Sequence, residues 1–115
     1  MRKSIVRNAA VAATTLVVLG APLVRADDTA ALWSKHCASC HGEDGKGDTK
    51  PGKALKIRDM TAPDVHKTLD KAKVRESIEK GVTSPETGKT VMKGFADKLS
   101  AADMDALAAH VMSLK

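Results

Sequence analysis

Residues 37–41 of this chain read Cys-Ala-Ser-Cys-His. No other string in it constrains the fold as strongly, because CxxCH is a pattern that fastens a haem covalently. In that reading Cys37 and Cys40 add across the two vinyl groups and become thioethers. His41 follows directly, and its imidazole can reach the iron from one side. The two residues between the cysteines make a tight turn that holds both sulfurs on one edge of the ring. A CxxC has three other readings. A thioredoxin-type redox pair should follow a strand in a βαβ pattern, and none is visible. A tetrahedral zinc site needs two more Cys or His at suitable spacing, and His36, His66 and His110 are scattered. A disulfide across so short a gap would stabilise little, because the loop it closes is so small.

The segment ahead of this string reads as a leader. Arg2, Lys3 and Arg7 give a basic start, and a mostly apolar stretch runs from Ala9 to Val24. Val24-Arg25-Ala26 then supplies small residues around a cleavage point. The expectation is a secretory signal peptide over residues 1–26, cut after Ala26, with one domain over residues 27–115. The apolar stretch is short for a membrane span and is broken by Thr14, Thr15, Gly20 and Pro22. No span is therefore expected after cleavage, the alternative being an uncleaved anchor. Without a Cys at the cut, no lipid anchor is expected either. Four of the five net positive charges belong to Arg2, Lys3, Arg7 and Arg25, and no acidic residue precedes Asp27. The high basicity thus belongs to the leader, and it carries no inference of nucleic-acid binding. Export agrees with the CxxCH string, because haem is attached to such thiols outside the cytoplasm. The location expected is the periplasm.

Composition bears on what fills the core. The aromatic residues are one Trp, one Phe and no Tyr, namely Trp33 and Phe95. Large aromatic side chains usually carry much of a small core. Another apolar body must fill the centre, and a haem held edge-on supplies one.

Periodicity and caps predict helices joined by loops. Asp28-Thr29 can cap a helix over residues 30–36 that runs into the CxxCH string. Residues 42–52 are rich in Gly, Asp and Lys and read as loop. Thr61-Ala62-Pro63-Asp64 reads as a short helix start, with Pro in the first turn. Asp70 can cap a further helix, with Ala72, Val74 and Ile78 on one stripe and Gly81 as its stop. Residues 82–95 read as loop again. In the last helix Ser100 is the cap, and Leu99 and Met104 occupy staple positions. Met104, Leu107, Ala108, Val111 and Leu114 recur at helical spacing. No run alternates as a strand should, so the fold class expected is all-α.

Haem iron has a second axial position, and the candidates are Met60, Met92, Met104, Met112 and the spare histidines. Met104 is core by its spacing, and Met112 shares its helix. Met60 competes, because its segment too reads as loop. Met92 is better placed, in Lys89-Thr90-Val91-Met92-Lys93-Gly94-Phe95 just before the last helix. Such a loop can fold across the open haem face with Phe95 packing nearby.

Four elements in order are similar to a small bacterial class I cytochrome c. They are Trp33 four residues before Cys37, the CxxCH string itself, Met92-Lys93-Gly94-Phe95, and Leu99-Ser100-Ala101-Ala102-Asp103 opening the last helix. The resemblance covers residues 29–115. It implies a haem-centred cytochrome c fold whose first and last helices cross, with Trp33 against the 107–111 face. It implies one covalent haem c with its iron, attached at Cys37 and Cys40 and ligated axially by His41 and Met92. His110 stands where the family commonly has an aromatic, and reads as a half-buried packing residue. The family also places a Pro carbonyl to accept the Nδ1–H of the proximal His, and Pro51 is the candidate.

With both axial positions filled, the iron cycles between Fe(III) and Fe(II) by one electron without making or breaking bonds. The function expected is a periplasmic electron carrier, not an enzyme, acting between a redox-protein donor and acceptor as a monomer or as a subunit of a redox complex. Two alternatives stand beside it: an electron-entry subunit of a larger oxidoreductase, and a small-ligand-binding haem protein if Met92 does not ligate. Lys46, Lys50, Lys53, Lys56 and Arg58, with Lys89 and Lys93 flanking Met92, read either as a basic rim that steers acidic partners or as solvated loop charge. Because the haem is expected to be part of the core, a Cys37→Ala/Cys40→Ala chain should lack a cooperative helical signal in far-UV circular dichroism. A native-like thermal transition in that variant would refute the expectation.

Overall fold

The structure, a computed structural model, describes residues 9–17, 20 and 24–115. The basic start of the expected leader, with Arg2, Lys3 and Arg7, and residues 18, 19 and 21–23 lie outside the described residues. Within the described part of that segment, Val11 is 90% and Leu16 is 87% exposed. Val11, Leu16 and Val17 therefore contribute nothing to the core.

Six helices and one small hairpin follow among the described residues: α1 (Ala26–His36), α2 (Ala38–His41), α3 (Lys50–Ala54), α4 (Pro63–His66), α5 (Lys71–Lys80), β1 (Gly81–Thr83), β2 (Thr90–Lys93) and α6 (Ala101–Ser113). α1 begins a turn earlier than the Asp28-Thr29 signal predicts. Arg25 is the cap residue, and Asp27 and Asp28 lie in the first turn instead. There they face the positive end of the helix dipole, so they favour the helix from inside it rather than from its cap. The Thr29 hydroxyl bonds back to the Arg25 carbonyl at 3.2 Å.

α6 forms as its caps predict. The Ser100 hydroxyl accepts from the Asp103 N–H at 3.1 Å, and Leu99 and Met104 are both buried. Its apolar face is buried against α1 and α5. Leu107 is 0% exposed, and Trp33 of α1, at 3%, packs on the same cluster. The first and last helices thus meet at Trp33 and the 107–111 face. α5 starts where Asp70 accepts from the Lys73 N–H at 3.0 Å and stops at Gly81, at φ 82°. Arg75 ties α5 to α6 by donating from Nε to Asp105 at 2.9 Å, and it also pairs with Glu79 along its own helix. Ala72 is exposed, contrary to the stripe read for it. It lies two residues from Val74, about 200° round the helix, whereas Val74 and Ile78 share a face.

Two segments read as loop carry structure. Residues 50–54 form α3, where the Thr49 hydroxyl caps by accepting from the Gly52 N–H at 2.9 Å. Residues 81–93 form an antiparallel hairpin that pairs Gly81 with Lys93 and Val82 with Met92. The fold is mostly helical with this small sheet added. Strands of three and four residues are too short to show alternation, and their pairing is decided across the intervening turn.

Gly52 sits where backbone converges. A Cβ there would lie 2.7 Å from the Cys40 carbonyl oxygen and 2.7 Å from the Thr49 hydroxyl, with the Gly47 carbonyl closer still. Backbone oxygens cannot swing aside as a side chain can. Gly52→Ala should therefore cost about 1–3 kcal/mol of overpacking, seen as a lower denaturation midpoint of the haem-loaded protein.

Candidate haem site

The CxxCH string lies at the junction of α1 and α2. Cys37 ends the first helix and begins the second, at φ −117° and ψ −40°. Its N–H bonds to the Trp33 carbonyl at 2.9 Å, and its own carbonyl accepts from the His41 N–H at 2.9 Å. The carbonyls that leave this turn are all taken. The Thr49 hydroxyl donates to Cys40 at 2.6 Å, the Gly47 N–H to His41 at 2.7 Å, and the Trp33 indole N–H to Gly42 at 3.0 Å. Helix α1 and the 47–49 loop thus hold one short turn, which aims the side chains of Cys37, Cys40 and His41.

Two cavities open beside it. One of about 310 Å³ is lined by Trp33, Cys37, His41, Met60, Ile78 and Met92, among others. The other, of about 290 Å³, is lined by His36, Cys40, Val91 and Phe95, and by Cys37, His41 and Met92 again. Cys37, His41 and Met92 thus stand where the two spaces adjoin. Met60 borders the first cavity only.

The chemistry of these donors suits a haem bonded through thioethers better than the rival readings of CxxC. Cys37 is buried, and desolvation, with the neighbouring Cys40 adding, pushes its thiol up to about 11. Zinc and thiol–disulfide chemistry both use thiolates, which this burial disfavours. A thioether is neutral and loses nothing there. No group of three or more His, Cys, Asp or Glu that could hold a metal ion is found among the described residues. Desolvation also lowers the pKa of His41, which keeps the imidazole neutral, the form that binds iron. His41 Nδ1 is buried with no hydrogen-bond partner among the described residues. The Pro51 carbonyl is therefore not its acceptor as the resemblance implies; it accepts the Leu55 N–H at 2.9 Å at the end of α3.

Met92 reaches the cavities from β2, not from an irregular loop. The chain after it is pinned to the end of α5, where the Phe95 N–H bonds to the Ile78 carbonyl at 2.8 Å. Gly94 permits this approach, because a Cβ there would lie 2.5 Å from the Glu79 carbonyl oxygen. Phe95 lines the second cavity and meets the His36 ring edge-on at 5.5 Å. Met104 is core and Met112 partly exposed, as their spacing predicts. His110 is half-buried, with its ring 4.8 Å from that of Trp33. The sequence reading marked neither the hairpin that carries Met92 nor the α3 turn that braces Cys40. The Thr49 cap, three residues ahead of the Gly52 N–H it binds, was the available clue to the second.

The cytochrome c family model matches residues 26–115. The chain is 33% identical over 86 residues to a cytochrome c6 of Microcystis aeruginosa, a match that covers 75% of this chain and 93% of that protein. Among solved structures it is similar to the KustC0563 c-type cytochrome, with a TM-score of 0.64 and 29% identity over 76% of this chain and 96% of the other. A point mutant of that protein gives a TM-score of 0.63 and 30% identity, over 76% of this chain and 99% of the mutant's.

Trp33 joins the helix crossing to the turn, and its two contributions are separable. Trp33→Phe keeps an aromatic ring but leaves the Gly42 carbonyl without its donor, at an expected cost of about 1–3 kcal/mol. Trp33→Ala also empties the contact with α6, and should cost about 3–5 kcal/mol. Denaturant titration of the two variants should show that order.

Proposed function

Since this chain belongs to the cytochrome c family of haem c electron carriers, we propose that it is an exported one-electron carrier, with haem attached at Cys37 and Cys40 and His41 and Met92 as the axial ligands. The observation that carries the axial pair is that His41 and Met92 both border both cavities. Met60 borders one, which makes it a wall of the site in this reading.

Bound there, the haem iron supplies reversible Fe(III)/Fe(II) chemistry, and thioether ligation from a methionine favours the ferrous state and raises the potential. The protein's part is to hold, tune and shield. Cys37 and Cys40 anchor one edge. His41, kept neutral by burial, is the proximal base. Trp33 and Ile78 exclude water from the first cavity. With both axial positions held by side chains, no position is left for a substrate, which supports a carrier rather than an enzyme.

Export is supported by the leader pattern of residues 1–26, in which Val11, Leu16 and Val17 are exposed. No helix among the described residues is long and apolar enough to cross a membrane. The periplasm is the location this supports. For partners we propose redox proteins with an acidic docking face. Lys89 and Lys93 are exposed on either side of Met92, and Val82 and Val91 of the same hairpin are 37% and 36% exposed. Lys53 is already paired with Asp48 at 2.9 Å, so it offers less to such a partner.

The oxidised spectrum tests the ligation. The Met–iron charge-transfer band should be present in the parent protein and in Met60→Ala. It should be lost in Met92→Ala, with a fall in reduction potential. Loss of the band in Met60→Ala and its retention in Met92→Ala would reverse the assignment.

A further inference from the structure

His110 borders neither cavity. It comes from the last turn of α6, where its ring is half-buried and its Nε2 is buried with no hydrogen-bond partner among the described residues. A buried nitrogen without a partner costs stability that a carbon ring would not. What the side chain supplies there is therefore a ring, and that ring packs on Trp33 with the centroids 4.8 Å apart and the planes tilted by 45°. Trp33 in turn meets His41 at 6.0 Å and 41°. Both separations lie in the range of aromatic packing. Three rings from α6, α1 and α2 thus meet in succession, with Trp33 as the shared member.

The last ring of the three needs such support. An imidazole that binds iron through Nε2 can turn about the iron–nitrogen bond, and a hydrogen bond at Nδ1 ordinarily stops it. The Nδ1 of His41 is buried with no partner among the described residues. Packing must therefore hold the plane of the imidazole, and the aromatic ring beside it is Trp33. Trp33 is itself held in two places. Its indole N–H is tied at 3.0 Å to the carbonyl of Gly42, the residue after His41. A single hydrogen bond at one edge leaves a ring free to swing about it. The His110 ring, coming from across the helix crossing, closes off that swing.

We infer that His110 is a positioning residue for the proximal ligand. Through Trp33 it fixes the plane of the His41 imidazole, in place of a hydrogen bond at Nδ1. This rests on His41 being the axial ligand proposed above, and it extends that reading to a residue that touches neither cavity.

The test is the proton NMR spectrum of the oxidised, haem-loaded protein. In low-spin ferric haem the planes of the axial ligands decide how unpaired spin is shared among the four ring methyl groups. The order and spread of the methyl signals therefore report the orientation of His41. His110→Ala should change that order or spread while the Met–iron charge-transfer band persists, which places the change on the proximal side. His110→Phe keeps a ring against Trp33 and should retain the parent pattern. Ser100→Ala removes the cap at the other end of α6, where the Ser100 hydroxyl accepts the Asp103 N–H. It loosens the same helix without touching the three rings and should leave the pattern in place. An unchanged pattern in His110→Ala overturns the inference. So does an equal change in Ser100→Ala, which would mark a general loosening of α6, or in His110→Phe, which would show that the ring is not what matters. Loss of the charge-transfer band in His110→Ala overturns it too, because the effect would then lie at Met92. A parent protein with covalent haem and that band, beside an unchanged His110→Ala pattern, sinks this inference alone. A parent protein without that haem or that band sinks the site reading and this inference with it.

Discussion

The hydrogen bond from the Trp33 indole to the Gly42 carbonyl, 3.0 Å long, joins the two things this fold must do together. On one side Trp33 packs into the cluster that α6 buries with Leu107, Ala108 and Val111. On the other it holds the end of the turn that carries Cys37, Cys40 and His41. Burying an indole is favourable only if its N–H finds a partner, and here that partner belongs to the functional turn. The stability of the helix crossing and the aim of the site are therefore set by one side chain.

Around that join, the backbone does the positioning that a chain with so few aromatic residues cannot do by bulk. The carbonyls of Cys40 and His41 accept donors from the 47–49 loop, and that of Gly42 accepts one from α1. Gly52 and Gly94 let main chain approach main chain at distances a Cβ would forbid. The first contact braces the haem turn, and the second sets the hairpin bearing Met92 against the end of α5. Hydrogen bonds and close backbone packing are directional, so they fix orientation more tightly than an apolar cluster of the same size.

Burial then sets the chemistry of the donors. Desolvation raises the Cys37 thiol and lowers the His41 imidazolium, so both groups are neutral near pH 7. A neutral imidazole, a buried thiol and the Met92 thioether bordering the same two cavities are a setting for a covalently held haem rather than for thiolate chemistry. The charge of the site is left to its rim, where Lys93 borders one cavity and Arg58 and Lys73 the other.

What the chain spells out locally was legible before any coordinates. The Ser100 and Asp70 caps, the Gly81 stop, the 104–111 stripe and the CxxCH string all act within a few residues of themselves. Local hydrogen bonds and covalent spacing decide them, and the structure bears out the caps, the stop and the stripe. Ala72 marks the edge of that kind of reading, since an apolar residue on the wrong side of a helix looks like core until the partner helix is in place. The hairpin at residues 81–93, the α3 brace on Cys40, the free Nδ1 of His41 and the gathering of Met60, Met92, Arg58 and Lys73 round one cavity were decided only by the tertiary structure. Each depends on segments far apart in the chain meeting in space, and no local pattern of residues encodes where a distant carbonyl or cavity wall will be.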